Sequence, residues 1–505
     1  MAEAGNDTKR AESAPEPPRR SLTRRTVSGY FWLLGGSGMR SVLRILVLAV
    51  LARLLVPADF GLVGAAMIVL ALADIFGQIG VSPALVHKQD LTEAHIRTGW
   101  TLTLLFGLGV GVLVYFLAYG IAALFRMPDL EPVLHGLAWI FPLRSLAIVA
   151  QGLLQRQMRF RAIATIELSS FTVGYAAMAI ALAYAGFGVW ALVFGQLAQT
   201  ALTSLAYLAV ARHSMRPQID PTALRYLTRF GAGSTLAGFG NYAAMNADYF
   251  VVGRWLGAEA LGFYTRAYYF LMQPANLVGA LGERVLFPAI ASIQSDAARM
   301  RKVYHRSIAL VALFTAPLSA FLFVFAPEII GLLLGDQWGM VVVPFRVLVV
   351  VLPFRTAYKI TATLLRASGA IFAMAVWQWL YAATVLLGAW IGQSHGLDGV
   401  AVGVALAIAA GFWIGIAFAR AINRISVRHV VVTFAKYAAV SIALAALLLV
   451  LRHVMEPFGL SPALMIALAG LVAAGFALPV WIFLPALFGD EGRWVRSMLA
   501  RASDD

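Results

Sequence analysis

Seven cations stand inside otherwise apolar sequence: Arg40, Arg44, Arg144, Arg266, Arg284, Arg355 and Lys359. Arg40 and Arg44 are four residues apart, as are Arg355 and Lys359, so on a helix each pair shares one face. Like charges so placed repel, and no dry helix interface would keep them without an anion. Fewer acids accompany them: Asp74, Glu167, Asp248 and Glu283. A charge at mid-bilayer costs roughly 3 kcal/mol or more and therefore faces a wet cavity or a partner. The set points to a positively charged, water-filled cavity between two halves of the chain that receives an anionic group such as a phosphate. Arginine suits a diphosphate because its planar fork gives two parallel hydrogen bonds. Asp74 and Asp248 fit either a site for a coupling proton or sodium ion, or a salt bridge to an arginine nearby.

Other polar residues read more simply. Arg53, Arg254 and Arg346 lie near span ends and are expected to snorkel. Asp59 follows Pro57 and reads as a helix N-cap. Glu167 is expected to pair with the loop that carries Arg156, Arg159 and Arg161. Tyr264, Trp338 and Trp390 fit either stacking on sugars or an interfacial aromatic belt.

The elements that must hold these residues follow from composition. Of 505 residues, 61% are hydrophobic and only 12% charged, with a mean hydropathy of +0.81. A soluble domain is about a quarter charged. Apolar runs of helix-spanning length recur throughout, which predicts an all-α polytopic membrane protein of about 14 transmembrane helices. Cysteine is absent, which excludes disulfides, thiolate metal sites and cysteine nucleophiles. The eight histidines are scattered, so no metal site or other cofactor is expected. The net charge of +15 sits mostly in short connections, where topology rather than nucleic acid explains it.

Residues 1–26 read as a disordered tail and residues 488–505 as a second one. Between them the reading gives a six-helix half at 27–211, another at 212–420, and two additional helices at 421–487. Basic connections alternate with connections nearly free of lysine and arginine, so the positive-inside rule puts both termini in the cytoplasm. No connection is long enough for a soluble domain, which argues against a membrane-embedded glycosyltransferase or polymerase with catalytic acids in an outer loop.

The two halves repeat. Arg53, Leu55 and Gly61 recur as Arg254, Leu256 and Gly262 at an offset of 201. Pro142-Leu-Arg144-Ser145 recurs as Pro353-Phe-Arg355-Thr356 at an offset of 211, as do Leu153-Leu154 and Gly188-Val189. Six spans separate the copies, so the halves point the same way and should be related by an axis along the membrane normal. Gly35-Gly36-Ser37-Gly38 and Gly231-Ala-Gly233-Ser234 open the first and seventh spans, and Pro142 and Pro353 permit bends at matching places.

Three segments carry a family likeness: Leu51–Val63, Leu153–Arg156 with Met158–Phe160, and Pro327–Trp338. They resemble the polysaccharide exporters of the multidrug/oligosaccharidyl-lipid/polysaccharide superfamily, over spans one to twelve. The resemblance implies a flippase, not an enzyme, working in the bacterial inner membrane by alternating access. Its cargo would be an undecaprenyl-diphosphate-linked oligosaccharide. Its partners would be membrane lipid and the polysaccharide polymerase and chain-length regulator. The rivals are a peptidoglycan-precursor flippase and a drug exporter of the same superfamily; an arginine-rich cavity disfavours the second, whose cargo is cationic.

Overall fold

A computed structural model of the chain describes residues 41–77, 81–227, 242, 245–281 and 286–483. Arg40, Glu283 and Arg284, both glycine clusters and both tails lie outside the described residues. Among the described residues there is no strand. A bilayer offers no water to backbone N–H and C=O groups, so each apolar segment must close its own hydrogen bonds as a helix.

In chain order, α1 covers 41–54, α2 Pro57–Gly77, α3 Val81–His87, α4 Glu93–Phe125, α5 Leu130–Leu137, α6 Ile140–Ser145 and α7 Ile148–Arg156. The fifth span is α8 (Phe160–Ser169), a π-helical stretch (Ser170–Ala177) and α9 (Met178–Tyr184); α10 is Val189–Val210. α11 covers 245–251 and runs into a π-helical turn, Val252–Leu256. There follow α12 (Gly257–Leu281), α13 (Phe287–Ala291), α14 (Ala297–Val324), α15 (Ala326–Leu334), α16 (Val342–Val350) and α17 (Leu352–Ala367). The last helices are α18 (Ile371–Gly392), α19 (Gly396–Asn423), α20 (Val427–Met455) and α21 (Pro462–Phe483).

This is a multi-pass membrane protein. Among the described residues, seven segments are long and apolar enough to cross a bilayer, or nine if two bent pairs each make one span. The expected fourteen is not reached for identifiable reasons. The first and seventh spans are described only in part. The 53-residue segment Ile371–Asn423 folds back at Gly396 (φ +71°) into two packed helices.

The fourth and tenth spans, in which Pro142 and Pro353 permit bends, are both broken. The fourth bends by 42° between Leu130–Ser145 and Ile148–Arg156, and the tenth by 49° between Asp336–Val350 and Leu352–Ala367. The break in the tenth span lies beside Pro353, which has no N–H for the preceding turn, whereas the bend in the fourth falls after Ser145, one turn beyond Pro142. In the tenth span the Ser319 hydroxyl donates to the Val349 carbonyl (2.6 Å), the acceptor that Pro353 cannot serve. The additional helices dock on the second half: Leu444 and Leu448 of α20 and Met465 and Ala469 of α21 form one core with Val324 and Phe325.

The two ends of the molecule are built differently. Connections poor in cations gather at one end. There α2 crosses α12 at Gly61 and Gly262. A Cβ on Gly61 would stand 1.7 Å from the Ala258 carbonyl oxygen, and one on Gly262 would stand 2.0 Å from that of Pro57. Positions 57 and 258 share the offset of 61 and 262, so the contact is reciprocal. Beside it, Gln337 Nε2 and Trp338 Nε1 donate to the Ala52 carbonyl at 2.6 and 2.8 Å, capping the C-terminus of α1. The Arg53 guanidinium donates to the Leu332 carbonyl (2.8 Å). Trp338 is fully buried, edge-on to Phe60 (5.3 Å) and Phe263 (5.8 Å).

One hydrophobic core runs through this end and includes residues of both halves, from Val47 to Ile408. At the basic end the cores are separate. Val81, Trp100, Val149 and Leu227 form one. Tyr304, Ile360, Trp377 and Phe412 belong to another. Arg156 organises the first of these by donating to the Leu85 (3.0 Å), Gln89 (2.8 Å) and Lys88 carbonyls.

Candidate functional site

A polar cavity of about 380 Å³ lies inside the bundle, and every residue lining it falls between Arg44 and Tyr207. The expected cavity lay between the halves; among the described residues this one is built within the first half. The bend after α6 sets its wall, presenting Arg144 and Gln151 from the two sides of the break. Arg44 enters from α1, with its guanidinium 5.6 Å from the Phe171 ring of the π-helical stretch. π-helical turns recur at functional sites because the extra residue per turn re-aims side chains.

Arg144 is half exposed, with 50% of its side chain accessible, and donates to Asp74 Oδ2 at 2.8 Å. Of the two readings for Asp74, the structure therefore displays the salt bridge. Glu167 also lines the cavity, where the Tyr207 hydroxyl donates to it (3.3 Å). The described lining thus holds Arg44 and Arg144 against Asp74 and Glu167. The expected excess of cations over acids is not present among these residues.

The repeat mate of Arg144 sits elsewhere. Arg355 is buried, 4% exposed, in the second half and does not line the cavity. Its Nη1 donates to the Tyr381 hydroxyl (3.0 Å), its guanidinium lies over the Tyr358 and Tyr381 rings, and its Nε has no hydrogen-bond partner. Tyr381 and Trp377 press on α19 where it lacks side chains: Cβ atoms on Gly411 and Gly415 would each fall 2.2 Å from those rings. Lys359 shares the face of Arg355, yet its Nζ donates to Asn276 Oδ1 (2.7 Å). Asp248 is 1% exposed and accepts from the Tyr264 hydroxyl (2.9 Å). Arg266 lies 4.5 Å over the Phe60 ring, near the crossing of α2 and α12, with its Nε buried and without a partner.

Several smaller expectations change. Asp59 belongs to the first turn of α2 and accepts from the Val56 N–H (3.3 Å), so it reaches back from inside the helix instead of preceding it. Trp338 and Tyr264 are fully buried, which removes both from any exposed stacking surface or belt; Trp390 stays 53% exposed. Arg53 and Arg346 each donate to a main-chain carbonyl, of Leu332 and Phe323. Arg254 lies 5.5 Å from the Trp255 ring.

The sequence reading passed over the uncharged part of the lining. Gln196, Gln199, Thr200, Thr203 and Tyr207 line the cavity from one face of α10. Their three- and four-residue spacing was a readable signal. These residues carry no charge and sit in a helix otherwise apolar, so hydropathy does not set them apart.

Residues 50–343, more than half of the chain, match the profile of a family described as polysaccharide biosynthesis protein. The chain belongs to this polysaccharide biosynthesis protein family. Within reach of the family, the chain is 26% identical over 392 residues to the lipopolysaccharide biosynthesis protein WzxC of Escherichia coli (strain K12), covering 76% of this chain and 79% of that one. It is 25% identical over 351 residues to the teichuronic acid biosynthesis protein TuaB of Bacillus subtilis (strain 168), covering 69% and 72%. Among solved structures, the lipid II flippase MurJ in an inward closed conformation superposes with a TM-score of 0.71 at 14% identity, over 91% of this chain and 98% of that one. An inward-facing multidrug resistance transporter of the MATE family gives 0.60 at 18% identity, over 75% and 93%. At these identities the superpositions establish a shared transporter fold and nothing finer. The family member in hand carries that fold with the cavity described above.

Proposed function

We propose that this protein is a flippase that carries an undecaprenyl-diphosphate-linked oligosaccharide across the bacterial inner membrane for polysaccharide assembly. It is a transporter with no bond-making step of its own. The observation that carries the reading is the cavity: two arginines and a row of amides and hydroxyls stand inside a membrane bundle. Apolar cargo has no use for such a lining, and a cationic drug would meet Arg44 and Arg144. The family and the names of the relatives supply the sugar.

The basic end faces the cytoplasm in this proposal, by the positive-inside rule, with both termini there. The halves then share one long core at the periplasmic end, whereas the cores at the cytoplasmic end are small and separate from each other, an arrangement that admits a headgroup from the cytoplasmic leaflet. Arg44 and Arg144 neutralise the diphosphate, and Asp74 holds Arg144 in place until the anion arrives. The lipid tail stays in the bilayer. Arg266, beside the α2–α12 crossing, is the next cation on the way out. Asp248 and the buried Arg355 remain candidates for coupling and for reshaping the second half during the cycle.

The test is a flipping assay in vesicles holding purified protein, with the oligosaccharide lipid and lipid II supplied separately. The expected result is faster flipping of the oligosaccharide lipid, with a loss of about tenfold or more in an Arg44→Gln, Arg144→Gln double variant, the scale of one charge-assisted hydrogen bond or more. Flipping of lipid II alone would replace this reading by that of a peptidoglycan-precursor flippase.

A further inference from the structure

α10 has two characters. Phe194, Leu197, Ala198 and Ala201 line a groove whose walls are all apolar, whereas Gln196, Gln199 and Thr203 line the polar cavity. The polar stripe is not there to tie the bundle together. The amides of Gln196, Gln199 and, across the cavity, Gln151 have no hydrogen-bond partner among the described residues. A side-chain amide offers two donors and an acceptor. All three are part-exposed and line the cavity, so whatever fills it, water at rest and cargo in transit, must supply their partners. The site is therefore made for contents that hydrogen-bond in both directions.

A phosphate does not meet that description, since it only accepts. A sugar does: each hydroxyl donates and accepts, and an amide can bridge two neighbouring hydroxyls. We infer that Gln151, Gln196, Gln199 and Thr203 form a carbohydrate subsite that reads the first sugars of the cargo beside the arginines that take its diphosphate. The inference rests on the flippase reading for its choice of cargo. The division of labour is chemical: Arg44 and Arg144 bind what every such lipid shares, and the amide stripe binds what distinguishes a glycosylated lipid from the bare carrier.

The experiment compares undecaprenyl diphosphate with undecaprenyl diphosphate carrying a disaccharide. Affinity is measured for the purified protein in detergent, and flipping in vesicles. In a Gln196→Leu, Gln199→Leu double variant, the preference for the disaccharide lipid should fall by about tenfold or more, with affinity for the bare lipid unchanged. Thr203→Val, a near-isosteric change, should weaken the preference in the same direction, and serves if the double variant misfolds. Equal affinity of variant and wild type for the disaccharide lipid would overturn the subsite. An equal loss for both lipids would overturn it too, since the stripe would then serve the fold or the phosphate. A wild-type protein that prefers the disaccharide lipid yet flips neither would overturn the flippase reading and leave the subsite standing.

Discussion

Arg144 and Arg355 occupy the same place in the two halves, each after a proline and beside a break in its span, yet one is wet and the other is enclosed. Arg144 keeps half its side chain accessible and meets an acid. Arg355 is packed among tyrosines and pressed into the second half. A duplicated element has thus been put to two uses. In the first half the break opens a wall toward a cavity. In the second half α18 lies on the glycines of α19, and the space that a cavity would need is filled by Trp377 and Tyr381. Repeated sequence fixes where a charge sits along the chain; the bulk of its neighbours decides whether water reaches it.

The sharpest way to break this contrast is Arg355→Ala. Removing the guanidinium leaves the buried Tyr381 hydroxyl without its partner and a cavity beneath the rings, which should lower stability by about 2–4 kcal/mol, read as a fall in the melting temperature of the detergent-solubilised protein. A variant as stable as the wild type would show that Arg355 is no structural centre. Arg144→Ala should do the reverse. Its ion pair is half exposed, so stability should change by about 1 kcal/mol or less, whereas flipping of the oligosaccharide lipid should drop about tenfold or more. If the two alanine variants lose stability equally, the contrast fails. Tyr381→Phe removes only the hydroxyl that Arg355 reaches and should cost roughly 1–2 kcal/mol in the same melting measurement. The gentlest probe uses the absence of cysteine from the chain. Thr203→Cys should react with a water-soluble maleimide, and Thr361→Cys, buried against Tyr304, should not. Labelling of both would mean that the second half is as wet as the first.

The helical class and the alternation of loops were legible because hydropathy and charge act locally along the chain. The break in the tenth span was legible too, since Pro353 acts on its own helix; in the fourth, Pro142 marks the span but the bend falls one turn beyond it. What stayed hidden was pairing in space. Nothing in the sequence near Arg144 names Asp74 as its partner. Nothing near Arg355 names Tyr381 of α18 as the group it bonds. Trp338 looked like a surface aromatic because it ends a connection; only the fold shows that it caps α1 between Phe60 and Phe263. The stripe on α10 carries no charge, and only the fold shows that its one polar face meets Arg44 and Arg144 across a cavity.

The crossing of Gly61 and Gly262 bears on a property that no flipping assay reads, the electrical tightness of the membrane. A transmembrane potential of 100 mV drives each unit charge with ~2.3 kcal/mol, and any continuous thread of water through a transporter lets ions follow it. Two backbones in contact leave no side chain to swing aside and no room for such a thread. A methyl group in place of either glycine hydrogen would prop the helices apart at the end where the halves share their long core. The chain would then short-circuit the vesicle that holds it, a fault visible as a decaying membrane potential even while cargo still crosses.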